Sequence, residues 1–245
     1  MPVTTRSIFD TTITSYAPAT RSSLAEIYQD FRNLRDSASM QHILDSIPTL
    51  ILVLNLHRQV VYVNRALCTF LNLKGKEEAL GLRPGELLGC IHSLVPGGCG
   101  TSKFCKTCGA VNAILASQQG KESVQECRIS TNNQSFLRAL DLRVWAQPMP
   151  LHQNLYTIFT LVDIADEKRR AVLERLFYHD IYNTIGGFKG ALELLRPFAT
   201  DSTQEILSSM EQQVNRLNDE MESHRILSAA ENNDLPVNST LIQSL

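Results

Sequence analysis

Two long amphipathic segments toward the C-terminal end of this 245-residue chain constrain its fold more than any other feature. In the first, apolar residues recur at Leu173, Phe177, Ile181, Ile185, Phe188, Leu192 and Leu195, the ~3.6-residue stripe of a helix that buries one face. Arg196-Pro197-Phe198 interrupts that pattern, because proline lacks the amide that a helix interior needs. After a polar turn over Ala199 to Thr203, a second stripe runs through Leu207, Met210, Val214, Leu217 and Met221. Long helices joined by a short connection predict an antiparallel hairpin. Each helix offers a wide apolar face, so a lone hairpin would leave part of it wet. Pairing two hairpins into a four-helix bundle covers it, and a homodimer is the simplest way to do so.

His179 follows Phe177 by two residues, roughly 200° around the wheel, and therefore projects away from the stripe. Asp180 is its neighbour, and Asn183 shares its face one turn on. An exposed imidazole beside a carboxylate, with a carboxamide one turn later, is a candidate phosphoryl acceptor. Taken alone, such a pair is an ordinary solvent-facing His and Asp. Its setting argues otherwise. Phe177-Tyr178-His179-Asp180-Ile181-Tyr182-Asn183-Thr184, followed by Gly186-Gly187-Phe188-Lys189-Gly190, resembles the phosphoacceptor box of bacterial sensor histidine kinases. His179, Asp180 and Asn183 match that family's His, acidic residue, two variable residues, then Asn or Thr. Thr184 stands where many members carry proline, so any bend there would fall to Gly186 and Gly187. His224-Arg225-Ile226-Leu227-Ser228 resembles the end of the family's second helix. The resemblance spans residues 166–232. It implies that His179 is phosphorylated, that Asp180 orients or deprotonates the imidazole, and that Asn183 positions water for dephosphorylation. It also implies a response-regulator receiver domain as partner.

Composition bounds the alternatives. A net charge of −2 and no Lys/Arg block argue against nucleic acid or an anionic membrane as partner. The longest apolar run, Leu50 to Leu54, is far short of the ~20 residues that span a bilayer. Met1 to Thr20 has no apolar core of a signal peptide and reads as a flexible tail. A soluble, cytoplasmic protein is expected.

Residues 21–40 carry an amphipathic helix with Leu24, Ile27, Phe31, Leu34 and Ala38 at heptad spacing, suited either to a parallel helix pair or to packing on its own domain. Leu50–Leu54 and Val60–Val63 flank Asn55 to Gln59, a hairpin signal, and Asn64 would cap a helix through Phe70. Further strands are expected around 124–129, 136–146 and 156–162, separated by turns at Asn132-Asn133 and from Pro148 to Asn154. Two strands, short helices, then three strands resembles a PAS sensor domain over residues 41–165. Ile43 to Pro48, Val63-Asn64-Arg65-Ala66 and Val162-Asp163-Ile164 are typical of that family. Asp163 is placed to cap the outgoing helix. The resemblance implies a domain that senses a ligand, redox state or oxygen and often dimerises. The expected fold class is thus an α+β PAS domain, an antiparallel sheet with flanking helices, followed by the dimerising helical hairpin.

A cysteine-rich insertion at residues 89–109 interrupts this sensor. Cys90, Cys99, Cys105 and Cys108 follow a C-x8-C-x5-C-x2-C spacing, four of the six cysteines within 19 residues. Phe104-Cys105-Lys106-Thr107-Cys108-Gly109 resembles a metal knuckle, since a two-residue gap lets both thiolates reach one ion. Gly97, Gly98 and Gly100 allow close backbone approach around Cys99. Zinc, an iron–sulfur cluster and a metal-free dithiol all fit these residues. His92 is more often a packing residue than a ligand at such a position. Cys68 and Cys127 read as core residues.

No glycine follows Gly190, so the glycine-rich lid of a kinase ATP-binding domain is not encoded here, and residues 233–245 read as a linker toward one. ATP would be bound by a longer chain or a separate protein, and this chain alone is not expected to autophosphorylate. The expected function is the sensory and phosphoacceptor portion of a two-component histidine kinase. The rival is a non-catalytic, metal- or redox-sensing dimer that docks partners through its bundle.

Overall fold

The computed structural model describes residues 14–35, 38–131 and 139–231. The chain divides into two compact units, residues 1–166 and 167–245. In the first, α1 (Leu24–Arg35) and α2 (Ala38–Ser46) precede β1 (Leu50–Leu54) and β2 (Val60–Val63). Then come α3 (Arg65–Leu71), the single turn α4 (Pro84–Leu87), α5 (Gly109–Gln118), β3 (Ser123–Ile129), β4 (Leu140–Leu151) and β5 (Asn154–Asp163). The strands form one antiparallel sheet in the order β2-β1-β5-β4-β3, so the first strand pairs with the last.

The apolar run of β1 is explained by helices on both faces of the sheet. Leu52 and Leu54 join Leu67, Ile114, Phe159 and Leu161 in one cluster beneath α3 and α5. Val53, Val61 and Tyr62 face the other way, against Ile27, Phe31 and Leu34 of α1. The heptad-like spacing of α1 therefore serves packing on its own domain and is not a seam for a parallel helix pair. The β1–β2 turn is built by the Asn55 side chain, which accepts from the amides of His57 and Gln59 at 2.9 Å. Asn64 caps α3 by accepting from Leu67 N at 3.1 Å, and Asp163 accepts from Ala165 N at 2.9 Å where the sheet unit ends.

Two expectations change. Residues 14–20, taken as part of a tail, are laid against the cysteine loop: Ser15 N donates to Thr101 O at 2.9 Å and Ala17 N to Gly100 O at 3.0 Å. Pro148 and Pro150 belong to β4 and not to a turn, paired with Thr157 and Leu155 of β5. The pairing of β3 with β4 stops at Ala146, so among the described residues these prolines lie beyond the β3 ladder, where an edge position tolerates a residue without an amide. The turn at Asn132-Asn133, the strand start at Phe136, residues 1–13 and the linker at 233–245 lie outside the described residues.

The second unit is built on α6 (Ala165–Leu195), a 3-10 turn at Arg196–Phe198 and α7 (Asp201–Glu231). Thr203 Oγ1 accepts from Thr200 N at 2.9 Å, a cap that lets α7 begin sooner than the polar composition suggested. The helices run antiparallel: Tyr182 Oη donates to Glu222 at 2.8 Å, Arg196 pairs with Glu211 at 3.5 Å, and the Ser228 hydroxyl donates to Glu174. Ile185 and Leu192 are buried, whereas Leu173, Phe177, Phe188 and Leu195 of α6 and Ile206, Met210 and Leu217 of α7 remain exposed. Among the described residues no helix is long and apolar enough to cross a membrane.

Candidate functional site

The cysteine loop runs from α4 to the start of α5. Cys90 is held by an isolated bridge to Thr131, Cys99 follows the tight glycine turn, Cys105 sits in a 3-10 turn and Cys108 precedes the first residue of α5. Two glycines are needed on steric grounds. Gly100 has φ +93°, and a β-carbon there would stand 3.1 Å from Arg58 Nε. A β-carbon on Gly109 would strike the carbonyl of Glu126, because the start of α5 lies directly on β3.

All four sequence-predicted cysteines line one cavity of about 310 Å³, together with Cys127, His92 and the apolar residues Leu88, Ile114, Ile129, Phe159 and Leu161. Among the described residues no cysteine forms a disulfide. Burial pushes the Cys99 thiol up to about 12 and raises those of Cys90 and Cys108 as well. Ser102 Oγ lies 3.2 Å from Cys105 Sγ. The His92 ring stacks on Phe104, centroids 4.4 Å apart, so packing accounts for its position. Cys68 packs beside the core cluster and is not among the cavity residues. Among the described residues, no three or more His, Cys, Asp or Glu side chains are grouped so as to hold a single metal ion.

Beneath this loop lie residues that sequence reasoning missed. Arg83 is fully buried. Its Nε donates to His57 O at 3.1 Å, Nη1 to Gly97 O at 2.9 Å and Cys99 O at 3.2 Å, and Nη2 to Ala19 O at 3.0 Å and Thr20 O at 2.8 Å. It thereby ties the cysteine loop, the β1–β2 turn and residues 18–20 together. Arg58, also buried, donates from Nη2 to Pro18 O at 2.6 Å. Burial, then the neighbouring Arg58 and Arg21 charges, pull the Arg83 guanidinium down to about 10. Glu86 accepts from Cys99 N at 3.1 Å and Arg83 N at 3.0 Å and pairs with Arg21; although burial opposes it, these donors hold its carboxyl below the usual range. A signal existed: in Leu80-Gly81-Leu82-Arg83-Pro84-Gly85-Glu86-Leu87-Leu88, Arg83 and Glu86 are the only charges in an apolar stretch.

On α6, His179 projects to solvent with 68% of its side chain exposed. Its Nδ1 lies 3.1 Å from Asp180 Oδ1, and Asn183 Nδ2 lies 3.2 Å from Nδ1 and 3.3 Å from Nε2. The three polar groups thus meet on one exposed patch. When the Asp180 carboxylate accepts Nδ1–H, the Nε2 lone pair is the ring's nucleophilic site, with the Asn183 amide as a donor beside it. α6 continues without a break through Thr184, whose Oγ1 donates to Asp180 O at 2.9 Å, and through Gly186 and Gly187.

Residues 38–91 match the family model of the PAS fold, and the unit has the PAS-type antiparallel sheet of five strands with flanking helices. Solved structures similar to this chain include the PAS domain of nitrogen regulation protein NR(II) from Vibrio parahaemolyticus, at 16% identity over 51% of this chain and 96% of that one, TM-score 0.35. A PAS domain from a two-component sensor histidine kinase is 12% identical over 53% and 96%, TM-score 0.36. The PAS domain of Bordetella pertussis BvgS is 15% identical over 61% and 98%, TM-score 0.36. No curated protein matches the chain.

Proposed function

We propose that this chain is the sensory and phosphoacceptor portion of a two-component histidine kinase, acting as a homodimer in which α6 and α7 of two copies form a four-helix bundle. The observation that carries the reading is the convergence of His179, Asp180 and Asn183 on an exposed patch of a long helical hairpin. In this mechanism Nε2 of His179 attacks the γ-phosphorus of ATP, which is held by an ATP-binding domain of a longer chain or a separate protein. The new N–P bond forms as the bond to the β-phosphate oxygen breaks and ADP leaves. Asp180 takes up the Nδ1 proton that the imidazole sheds. The phosphoryl group then passes to an aspartate of a response-regulator receiver domain, and Asn183 positions water for the reverse, hydrolytic reaction.

The dimer is supported by the exposed stripe of Leu173, Phe177, Phe188 and Leu195 with Ile206, Met210 and Leu217. Such a length of apolar surface is rare on a monomer. The test supplies ATP and a kinase ATP-binding domain to the full chain. Wild type should gain acid-labile phosphate, and His179→Gln should lose at least ~100-fold of it, general acid–base and nucleophilic roles commonly carrying that much. Asn183→Ala should keep the label and shed it more slowly. Acid-labile label persisting in the His179 variant would overturn the assignment.

A further inference from the structure

Two guanidiniums are sealed under the cysteine loop, and among the described residues neither Arg58 nor Arg83 forms an ion pair. The Arg83 side chain donates only to backbone carbonyls, and the Glu86 carboxylate, whose field reaches both guanidiniums, is already paired with Arg21. Arg21, Arg58 and Arg83 thus stand against one carboxylate, and burying cations short of counter-charge is unfavourable. Both lie within electrostatic reach of the cysteine sulfurs, Arg58 of Cys99 and Cys105 and Arg83 of Cys99.

We propose that Cys90, Cys99, Cys105 and Cys108 hold a thiophilic metal centre as a tetrathiolate, and that Arg58 and Arg83 are its buried counter-charges. Four thiolates around a divalent ion, or around an iron–sulfur core of charge +2, leave a net −2, which two guanidiniums neutralise. Binding releases the four thiol protons to solvent, so charge and atoms balance. Cys105 and Cys108 lie on either side of a single turn at the start of α5, and Ser102 Oγ is placed to donate to Cys105 Sγ at 3.2 Å. The cavity of about 310 Å³ is larger than a lone ion requires and the thiols do not yet meet at a point. A single ion would draw the side chains inward; a polynuclear core would fill the space between them. This inference is independent of the phosphotransfer reading.

The test measures metal and not phosphorylation. Full-length protein purified without oxygen should contain either about one zinc per chain, colourless, or iron with acid-labile sulfide and a visible absorption band. Metal-free chain titrated with Co²⁺ should develop the intense sulfur-to-cobalt absorption of a tetrathiolate. Ser at any one of the four positions should abolish that band to a similar degree, whereas Cys68→Ser should keep it. Arg58→Gln should weaken Co²⁺ binding in chelator competition by ~10–100-fold, the usual effect of losing a partner behind the ligands, and Arg58→Lys by less than ~3-fold. If the Gln variant does not fold, the Lys variant carries the test, and a loss above ~10-fold there would overturn the counter-charge role. Protein that takes up neither zinc, iron nor Co²⁺ would overturn the centre itself, as would four Ser variants that all bind like wild type.

Discussion

In the sheet unit, Phe159 is sealed in one cluster with Ile114 of α5 and Leu52 of β1, all from the same chain. On α6, Phe177 and Phe188 stand 57% and 56% exposed. Both regions are rich in apolar side chains, but only the sheet unit covers them unaided. It does so because its sheet carries helices on both faces where β1 and β2 lie. A two-helix hairpin has only one internal seam, here occupied by Ile185 and Leu192. Whatever else is apolar on it must face another molecule or water. The two differ in where stability resides: the sheet unit closes its core within one chain, and under the proposed dimer the hairpin's stability would depend on assembly.

The largest expected effect contrasts the two directly. Phe159→Ala should destabilise the sheet unit by about 3–5 kcal/mol, the cost of an unfilled core cavity after losing a buried aromatic ring. Trp145 of β4 is the single tryptophan in the chain, so its fluorescence follows this unit alone. The Trp145 transition should fall sharply in the variant and stay independent of protein concentration. The far-ultraviolet helical transition, dominated by the 31-residue α6 and α7, should instead move with concentration. A Trp145 transition that is unchanged in Phe159→Ala would mean that the cluster is not closed as described.

Next in size is Phe188→Glu. Placing a carboxylate on the exposed stripe removes roughly 2 kcal/mol of apolar burial per copy, so the dimer dissociation constant should rise by ~100-fold or more. Light scattering at tens of micromolar should read a dimer for wild type and mostly monomer for the variant. The helical content should persist, since Ile185 and Leu192 are untouched. Wild-type protein that scatters as a monomer would remove the bundle from the mechanism.

How much of this was legible before the structure depended on periodicity. The existence of the strands and the hairpin stripe followed from spacing, since burial on one or two faces imposes a period on the sequence, and the Asn64 and Asp163 caps from residue type; the run of β4 through Pro148 and Pro150 did not, because proline there reads as a turn. The four cysteines were legible as a group, and Cys127 was not: it comes to the cavity through the register of β3, where it pairs with Leu142, a long-range fact with no local signature. α1 illustrates the opposite failure. Its Ile27, Phe31 and Leu34 carry a spacing that a coiled coil and a helix on a sheet share, so the pattern could not choose between them. Arg58 and Arg83 were missed because a buried cation contradicts hydropathy, and only the ring of backbone carbonyls around Arg83 makes its place intelligible.

The smallest expected effect lies on the His179 face of α6. Gly186 is seven residues on from His179, two turns along the same face. It has helical backbone within an unbroken helix, and a β-carbon there would meet nothing within 4 Å in its own chain. Neither a turn nor a close approach inside the chain accounts for the glycine, which as an interior helical residue costs about 1 kcal/mol relative to alanine. Gly186→Ala should therefore stabilise the hairpin by about 1 kcal/mol, raising the helical transition by roughly 4–8 °C for a unit of this size. The Trp145 transition should not move. A lowered helical midpoint would show that the added methyl meets the second copy, which would put the dimer contact on the His179 face in place of the Phe177 and Phe188 stripe. The exposed His179 patch and the dimer contact would then be competing for one surface, and the bundle geometry proposed above would have to be redrawn.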